Sequence, residues 1–418
     1  MRRALALSVG TGTGPNANIV EPLKKAIGDV NPEFVCFLAS SDSEKNAMAV
    51  ASGLRLTDDS FQTRLLDNPD DVEAVFKEAL QALRGLVRRG YGVEEIAVDF
   101  TSGTKAMTAG LVLAATAMRC GSLRYITGAR QQGTVASGTE RFLSIPPAAI
   151  LAYRELEVAR ELIRHLQFRA ALDRCEAINP AHLDPHSAEL NQDLAHLACA
   201  YDAWDKFDHR RAAGELGKVD FGKTENAEFR VGKEIAGSRL PRIGQAIEQG
   251  KISDDLLADL ANNALRRRRE GKYDDAVARL YRLVEMLGQR TMERDYGLRS
   301  GDLALEKVPE TLRAAMEQHR NTRDGKVKIG LAAVYGLLAA LGSSLGAAYE
   351  ADKDLPGLLK TRNESILAHG TRPVSPEACL HFCQRVLSLL DREIPGFAAR
   401  RQELQFPWLR ASAEVCGP

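Results

Sequence analysis

Glu95 to Met107 reads E-I-A-V-D-F-T-S-G-T-K-A-M: an apolar run ending at Phe100, a stretch of small polar residues, then a helical pattern that continues to Met118. Strand, glycine-bearing turn and helix in that order form the unit of a parallel sheet, whose neighbouring strands need a crossover between them. The same order recurs outward from this stretch. Ala4 to Val9 is apolar and leads through G-T-G-T-G-P-N-A-N into a helical stretch from Ala17 to Ile27; Phe34 to Ala39 is a second buried strand, followed by S-S-D-S-E-K-N and a helix through Ala51. A helix from Asp70 to Arg89 precedes the central stretch, and strands at Leu123 to Thr127 and near Phe142 follow it. The expectation is an α/β domain over residues 1–148, with a parallel sheet covered by helices on both faces.

In such sheets ligands bind beyond the carboxyl ends of the strands, where loops expose backbone N–H groups at helix starts. Two loops qualify. In the first, Gly10, Gly12 and Gly14 let the backbone approach a ligand, and Thr11, Thr13 and Asn16 offer hydrogen bonds. Its spacing fits neither the dinucleotide fingerprint, which needs glycine at Pro15, nor a phosphate loop ending in G-K-[ST]. The second supplies hydroxyls at Thr101, Ser102 and Thr104 and a cation at Lys105. This set suits a ligand bearing phosphates and hydroxyls. It also suits a well-capped turn with a solvated lysine.

From Ala148 the composition shifts to Ala, Leu, Arg and Glu, and the remainder reads as helical: a connector over 149–252, then a bundle over 253–418 that begins where Ser253 caps the helix Leu256 to Arg269. Arg266 to Arg269 spread around the helix and read as largely solvated. A faint echo of aromatic-led helix starts at Phe168, Phe207 and Tyr273 has irregular intervals, which do not fit a regular array of repeats. Ile329 to Tyr349 carries no charge and reaches bilayer-spanning length, but its Ala, Gly and Ser content reads as one tightly packed buried helix. The run after Met1-Arg2-Arg3 is too short for a signal peptide and reads as the first strand. Seven cysteines without a C-x-x-C pair fit free thiols in a reducing cytoplasm, and no metal site is expected. Lys plus Arg equals Asp plus Glu at 56 each, so nothing implies an extended nucleic-acid surface.

Arg362 to Gly370, R-N-E-S-I-L-A-H-G, reads as the last turns of a helix stopped by a left-handed Gly370, with Pro373 beyond it. Seven steps fall about 20° short of two turns, which puts Arg362 and His369 on one face. At a helix C-terminus the dipole would favour imidazolium. A fixed cation, a titrating imidazole and the amide of Asn363, with no nucleophile nearby, match chemistry in which the substrate brings its own nucleophile, as RNA does with its 2′-hydroxyl. His369 would move protons, Arg362 would stabilise charge on the phosphate and Asn363 would orient groups. The competing reading is a solvated helix end carrying two basic residues.

The T-G-T-G loop after the first strand and D-F-T-S-G-T-K-A-M after a later one resemble the Rossmann-like CARF domains of CRISPR-associated proteins. The Arg362–His369 pair, with six residues between them and polar Asn363 first, resembles the HEPN ribonuclease pattern of Arg, four to six residues, then His. N-N-A-L-R-R-R-R-E-G-K-Y-D-D-A-V-A-R-L-Y-R is similar to the start of the helical effector domain in one CARF–HEPN family. The resemblance implies that Thr11, Gly12, Thr101, Ser102, Gly103, Thr104, Lys105 and Met107 line a pocket for cyclic oligoadenylate, an allosteric activator, with no cofactor. It further implies a cytoplasmic homodimer that cleaves single-stranded RNA without metal at Arg362, Asn363 and His369 of both copies, acting neither on DNA nor at a membrane. The alternatives are a sensor with a non-catalytic helical scaffold and an effector acting on membranes through Ile329 to Tyr349.

Overall fold

Ala4–Val9 (β1) alternates small and large residues, apolar except for Ser8, that are all buried, because both faces of the strand are covered. It is the third strand of a six-stranded sheet within a structure, a computed structural model, that describes residues 2–12, 19–131, 134–135 and 138–410. The chain divides into two units, Met1–Glu161 with Asp173–Asn191 and Leu162–Leu172 with Gln192–Pro418.

In the first unit β1 is followed by α1 (Val20–Val30), β2 (Phe34–Ala39), α2 (Glu44–Gly53), β3 (Phe61–Leu65), α3 (Val72–Arg88), β4 (Ile96–Asp99), α4 (Lys105–Met118) and β5 (Ser122–Thr127). A two-residue pair, β6 (Arg130–Gln131) and β7 (Thr134–Val135), precedes β8 (Arg141–Ile145). The strand order is β3-β2-β1-β4-β5-β8. All neighbours are parallel except β8, which runs antiparallel along β5 with Tyr125 opposite Leu143. Ala4 and Ala6 face a core closed by α3 and α4, whereas Leu5, Leu7 and Val9 face one closed by α1 and α2, the period-two alternation of a strand. Gly110 lets α4 lie against α3, since a Cβ there would meet Val75 at 2.7 Å.

Two details of the sheet differ from the sequence expectation. The strand β3 was not anticipated: F-Q-T-R-L is half-buried at the edge of the sheet and has no apolar run. The last strand near Phe142 is present but antiparallel, so the sheet is mixed.

The helical part comprises α5 (Pro147–Arg164), α6 (Phe168–Ala177), α7 (Pro185–Asp205), α8 (His209–Leu216) and α9 (Leu240–Glu248), then α10 (Asp254–Arg269) and α11 (Tyr273–Tyr296). After α12 (Glu310–Glu317) come α13 (Leu331–Ala340), α14 (Ser344–Ala351), α15 (Leu355–Glu364), α16 (Pro376–Glu393), α17 (Phe397–Glu403) and α18 (Pro407–Arg410). Ser253 caps α10 as its sequence implied, its Oγ accepting the Leu256 N–H, and Gly271 at φ +74° turns the chain into α11.

The arginine run at the end of α10 is not a solvated face. Arg266 is 1% exposed, with its Nε 2.8 Å from Asp205 Oδ1 and its guanidinium 4.0 Å over the Phe406 ring; Arg267 also pairs with Asp205. Nearby, Asp259 is fully buried and accepts from Trp204 Nε1 at 2.9 Å while facing His209 Nε2 at 2.7 Å. These acids compensate arginines that burial would otherwise leave unpaired.

The uncharged stretch Ile329 to Tyr349 is two helices, not one. α13 and α14 meet at an angle of 117° across Leu341–Ser343, where Gly342 takes φ +74°. They fold onto each other so closely that a Cβ on Gly346 would stand 2.1 Å from the Ala339 nitrogen. Among the described residues no single helix is long and apolar enough to cross a membrane.

Candidate functional site

In the first unit the carboxyl ends of β1, β2 and β4 converge, and the two glycine loops touch backbone to backbone. A Cβ on Gly10 would lie 2.8 Å from the Gly103 nitrogen, and Gly103, at φ +120°, rests against Ser8 and Met107. Gly12 takes φ +94°. These conformations and this approach require glycine.

The hydroxyls of the second loop are built into the framework. Thr101 Oγ1 accepts the Ile126 N–H at 2.9 Å, and Ser102 Oγ accepts the Gly10 N–H at 2.9 Å. Thr104 caps α4 by accepting the Met107 N–H at 3.1 Å and donates to the Pro69 carbonyl at 2.7 Å. Asp99, 2% exposed, holds the loop start by accepting the Thr101 N–H; burial pushes its carboxyl above the ordinary value, against the lowering effect of Thr101.

Thr11 and Lys105 are exposed, and Lys105 stands in the first turn of α4 without an ion pair among the described residues, a cation beside glycine-lined backbone. Met107, expected in the pocket, is 1% exposed and packs behind the loop in the core. Thr13, Gly14 and Asn16 lie outside the described residues. Sequence reasoning missed Asn46, whose Nδ2 donates to the Gly10 carbonyl at 2.8 Å, and Ser8, which donates to the Ser102 carbonyl. The signal for Asn46 was the polar run S-S-D-S-E-K-N after β2.

In the second unit the geometry around Arg362 also differs from the expected helix. α15 ends at Glu364 and Ser365 is extended at ψ 159°, so His369 is not on the helix and the dipole argument does not reach it. Ser365 causes the break: its Oγ donates to the Arg362 carbonyl at 2.9 Å, competing with the helical ladder, and it bridges to Arg372. The chain then turns back. Gly370 N–H donates to the Ser365 carbonyl at 3.2 Å and His369 N–H donates to the Asn363 carbonyl, also at 3.2 Å. Gly370 is required by contact and not by handedness, since a Cβ would lie 1.7 Å from the Glu364 oxygen.

Arg362, Asn363 and His369 are thus gathered by a turn and not by helical periodicity. Arg362 Nη1 donates to Asn363 Oδ1 at 3.1 Å, and its guanidinium lies 4.8 Å from the centroid of the Tyr281 ring, a neighbour that sequence reasoning did not identify. His369 is exposed. Ile366 and Leu367, at the tip of the turn, are 61% and 56% exposed. Cys379 and Cys383 are fully buried on α16, and among the described residues no group of three or more His, Cys, Asp or Glu is placed to hold a metal.

Residues 248–393 match the family model described as the Csm6 HEPN domain. The structure of Enterococcus italicus Csm6 bound to cyclic hexa-2′-fluoro-hexa-dAMP shares the fold over 98% of this chain and 99% of its own, with a TM-score of 0.55 and 12% sequence identity. A type III CRISPR defence DNA nuclease activated by cyclic oligoadenylate aligns over 47% of this chain and 34% of its own at 18% identity, but its TM-score of 0.26 bears no weight. No protein of curated function matches the sequence.

Proposed function

We propose that this chain, a CRISPR-associated CARF–HEPN effector, is an endoribonuclease that cyclic oligoadenylate activates at the glycine loops of its first unit. The observation that carries the reading is the turn returning His369 to Asn363 and Arg362 inside the segment that matches a Csm6-type HEPN domain. The ligand of the Enterococcus protein supports the nature of the activator, and interlocked glycine loops beside the exposed cation of Lys105 suit its phosphates.

The proposed chemistry needs only what these side chains supply. The 2′-hydroxyl of single-stranded RNA attacks the adjacent phosphorus and loses its proton. The bond from phosphorus to the 5′-oxygen breaks, and that oxygen takes up a proton. The products are a 2′,3′-cyclic phosphate and a 5′-hydroxyl. His369 carries protons, Arg362 stabilises the charge on phosphorus-bound oxygens and Asn363 keeps Arg362 oriented. No metal enters this scheme.

One chain offers one Arg and one His, and the exposed Ile366 and Leu367 between them suit burial by a second copy. A homodimer on a two-fold axis would place two sets around one cleft. The test is cleavage of a labelled single-stranded RNA, with activator and chelator present, by wild type and by His369→Ala. Loss of cleavage in the variant is expected. A variant as fast as wild type would remove His369 from the mechanism. Mass spectrometry of nucleotide retained on the protein, checked against added tetra- and hexa-adenylate rings, tests the activator.

A further inference from the structure

We infer that Tyr281 is the positioning residue of the Arg362 site: its ring holds the guanidinium in place without neutralising it, leaving the whole positive charge for a phosphate. The inference rests on the ribonuclease reading above and deepens it.

Arg362 Cζ lies 4.8 Å from the Tyr281 ring centroid, inside the ~6 Å over which a ring face attracts a cation. The second hold is Asn363, whose neutral amide oxygen accepts from Nη1. Among the described residues no carboxylate forms an ion pair with Arg362. A carboxylate would grip the guanidinium more strongly but would cancel its charge and occupy the donors a phosphate needs. An aromatic face attracts through its quadrupole and carries no net charge. The guanidinium is therefore both fixed and available.

The helix that carries the ring is braced from the core. Tyr281, Val284 and Gly288 fall on one face of α11 at i, i+3 and i+7. The Val284 carbonyl accepts the Tyr335 hydroxyl at 2.7 Å, and Gly288 leaves room for that ring, since a Cβ would meet it at 2.9 Å. Tyr335 stacks on Tyr349 with centroids 4.3 Å apart. Burial pushes the Tyr349 hydroxyl up, and Tyr281 beside it adds to the shift.

The experiment measures kcat and KM on a fluorogenic single-stranded RNA for full-length wild type, Tyr281→Phe, Tyr281→Leu and Tyr281→Glu with activator present. Tyr281→Phe keeps the face and is expected to match wild type, while Tyr281→Leu loses roughly tenfold in kcat with little change in KM. Tyr281→Glu can hold Arg362 but neutralises it, and is expected to fall at least as far. A readout without RNA is the Arg362 Nε–H resonance, assigned through Arg362→Lys. Ring current shifts it upfield in wild type and Tyr281→Phe, and the shift disappears in Tyr281→Leu. Full kcat in Tyr281→Leu, full activity in Tyr281→Glu, or a Tyr281→Phe as impaired as Tyr281→Leu would overturn the inference. If wild type cuts no RNA, the ribonuclease reading fails, and the resonance alone decides whether Tyr281 holds Arg362: an upfield shift supports the hold, and an unshifted signal rejects it.

Discussion

Gly370 has no room for a methyl group, because a Cβ would lie 1.7 Å from the Glu364 oxygen and 2.2 Å from its carbon. Gly370→Ala must open the turn, at a local cost of about 1–3 kcal/mol as for other overpacked sites. Since that turn carries the His369 N–H to Asn363, RNA cleavage is expected to collapse while the first unit still binds activator, as seen in a calorimetric titration beside the cleavage assay. Cleavage at the wild-type rate would mean the turn does not position His369. At this scale the sequence offered Arg362, Asn363 and His369 as candidates, but their geometry was not legible in it. A separation of seven suits a helix, and the Leu367-Ala368 pair has good helix propensity. What decides otherwise is the Ser365 hydroxyl and its bridge to Arg372. Tyr281 carried no readable mark, because its contact joins residues far apart in the chain. The glycine loops were legible as loops, but the framework role of their hydroxyls was not: Thr101 and Ser102 look free in sequence and are hydrogen-bonded to Ile126 and Gly10 in space.

Among the elements, the start of α10 concentrates charge that can be tested by acid. Asp255 accepts from Arg239 Nε at 3.1 Å and Nη2 at 2.8 Å and from Arg400 at 2.7 Å. Burial pushes its carboxyl up, but the hydrogen bonds from Arg239 and Arg400 outweigh burial and hold it below the ordinary value. A carboxyl depressed in the folded state stabilises above its unfolded pKa of about 3.9, and that stability is lost as pH falls through the folded value. Asp255→Asn is therefore expected to cost about 2 kcal/mol at neutral pH, with the gap to wild type closing below about pH 4. Urea unfolding at several pH values measures this; a gap independent of pH would show that the ion pairs contribute nothing. Continuous apolar runs made β1, β2 and β4 legible, whereas β3 was hidden because an edge strand needs only half of its residues buried. The bend between α13 and α14 was written in L-G-S-S-L, where a glycine and serines end one helix and begin the next, but the absence of charge drew attention to length instead.

For the molecule as a whole, equal numbers of acidic and basic residues leave no long-range field to gather RNA. Basic runs do not change this, since Arg266 and Arg267 are spent on Asp205. If RNA is held at the proposed dimeric site by two copies of Arg362, about two phosphates are neutralised. The logarithm of RNA affinity should then fall against the logarithm of salt with a slope of about −1.4, at −0.7 for each phosphate on a single strand. A filter-binding or anisotropy series with His369→Ala measures it without cleavage. A slope several times steeper would mean that RNA contacts a larger basic surface than the Arg362 pair.

The turn between Ser365 and Gly370 bears on how sequence spacing can vary. On a helix, each residue added between the arginine and the histidine would swing the imidazole by about 100° and carry it off the shared face. Here the intervening residues form a loop closed at both ends, by His369 N–H on Asn363 and by Gly370 against Glu364. An added or lost residue would lengthen or shorten the arch without moving its feet. An interval of four to six residues is thus a tolerance that a hinge-like loop permits and a helix would forbid.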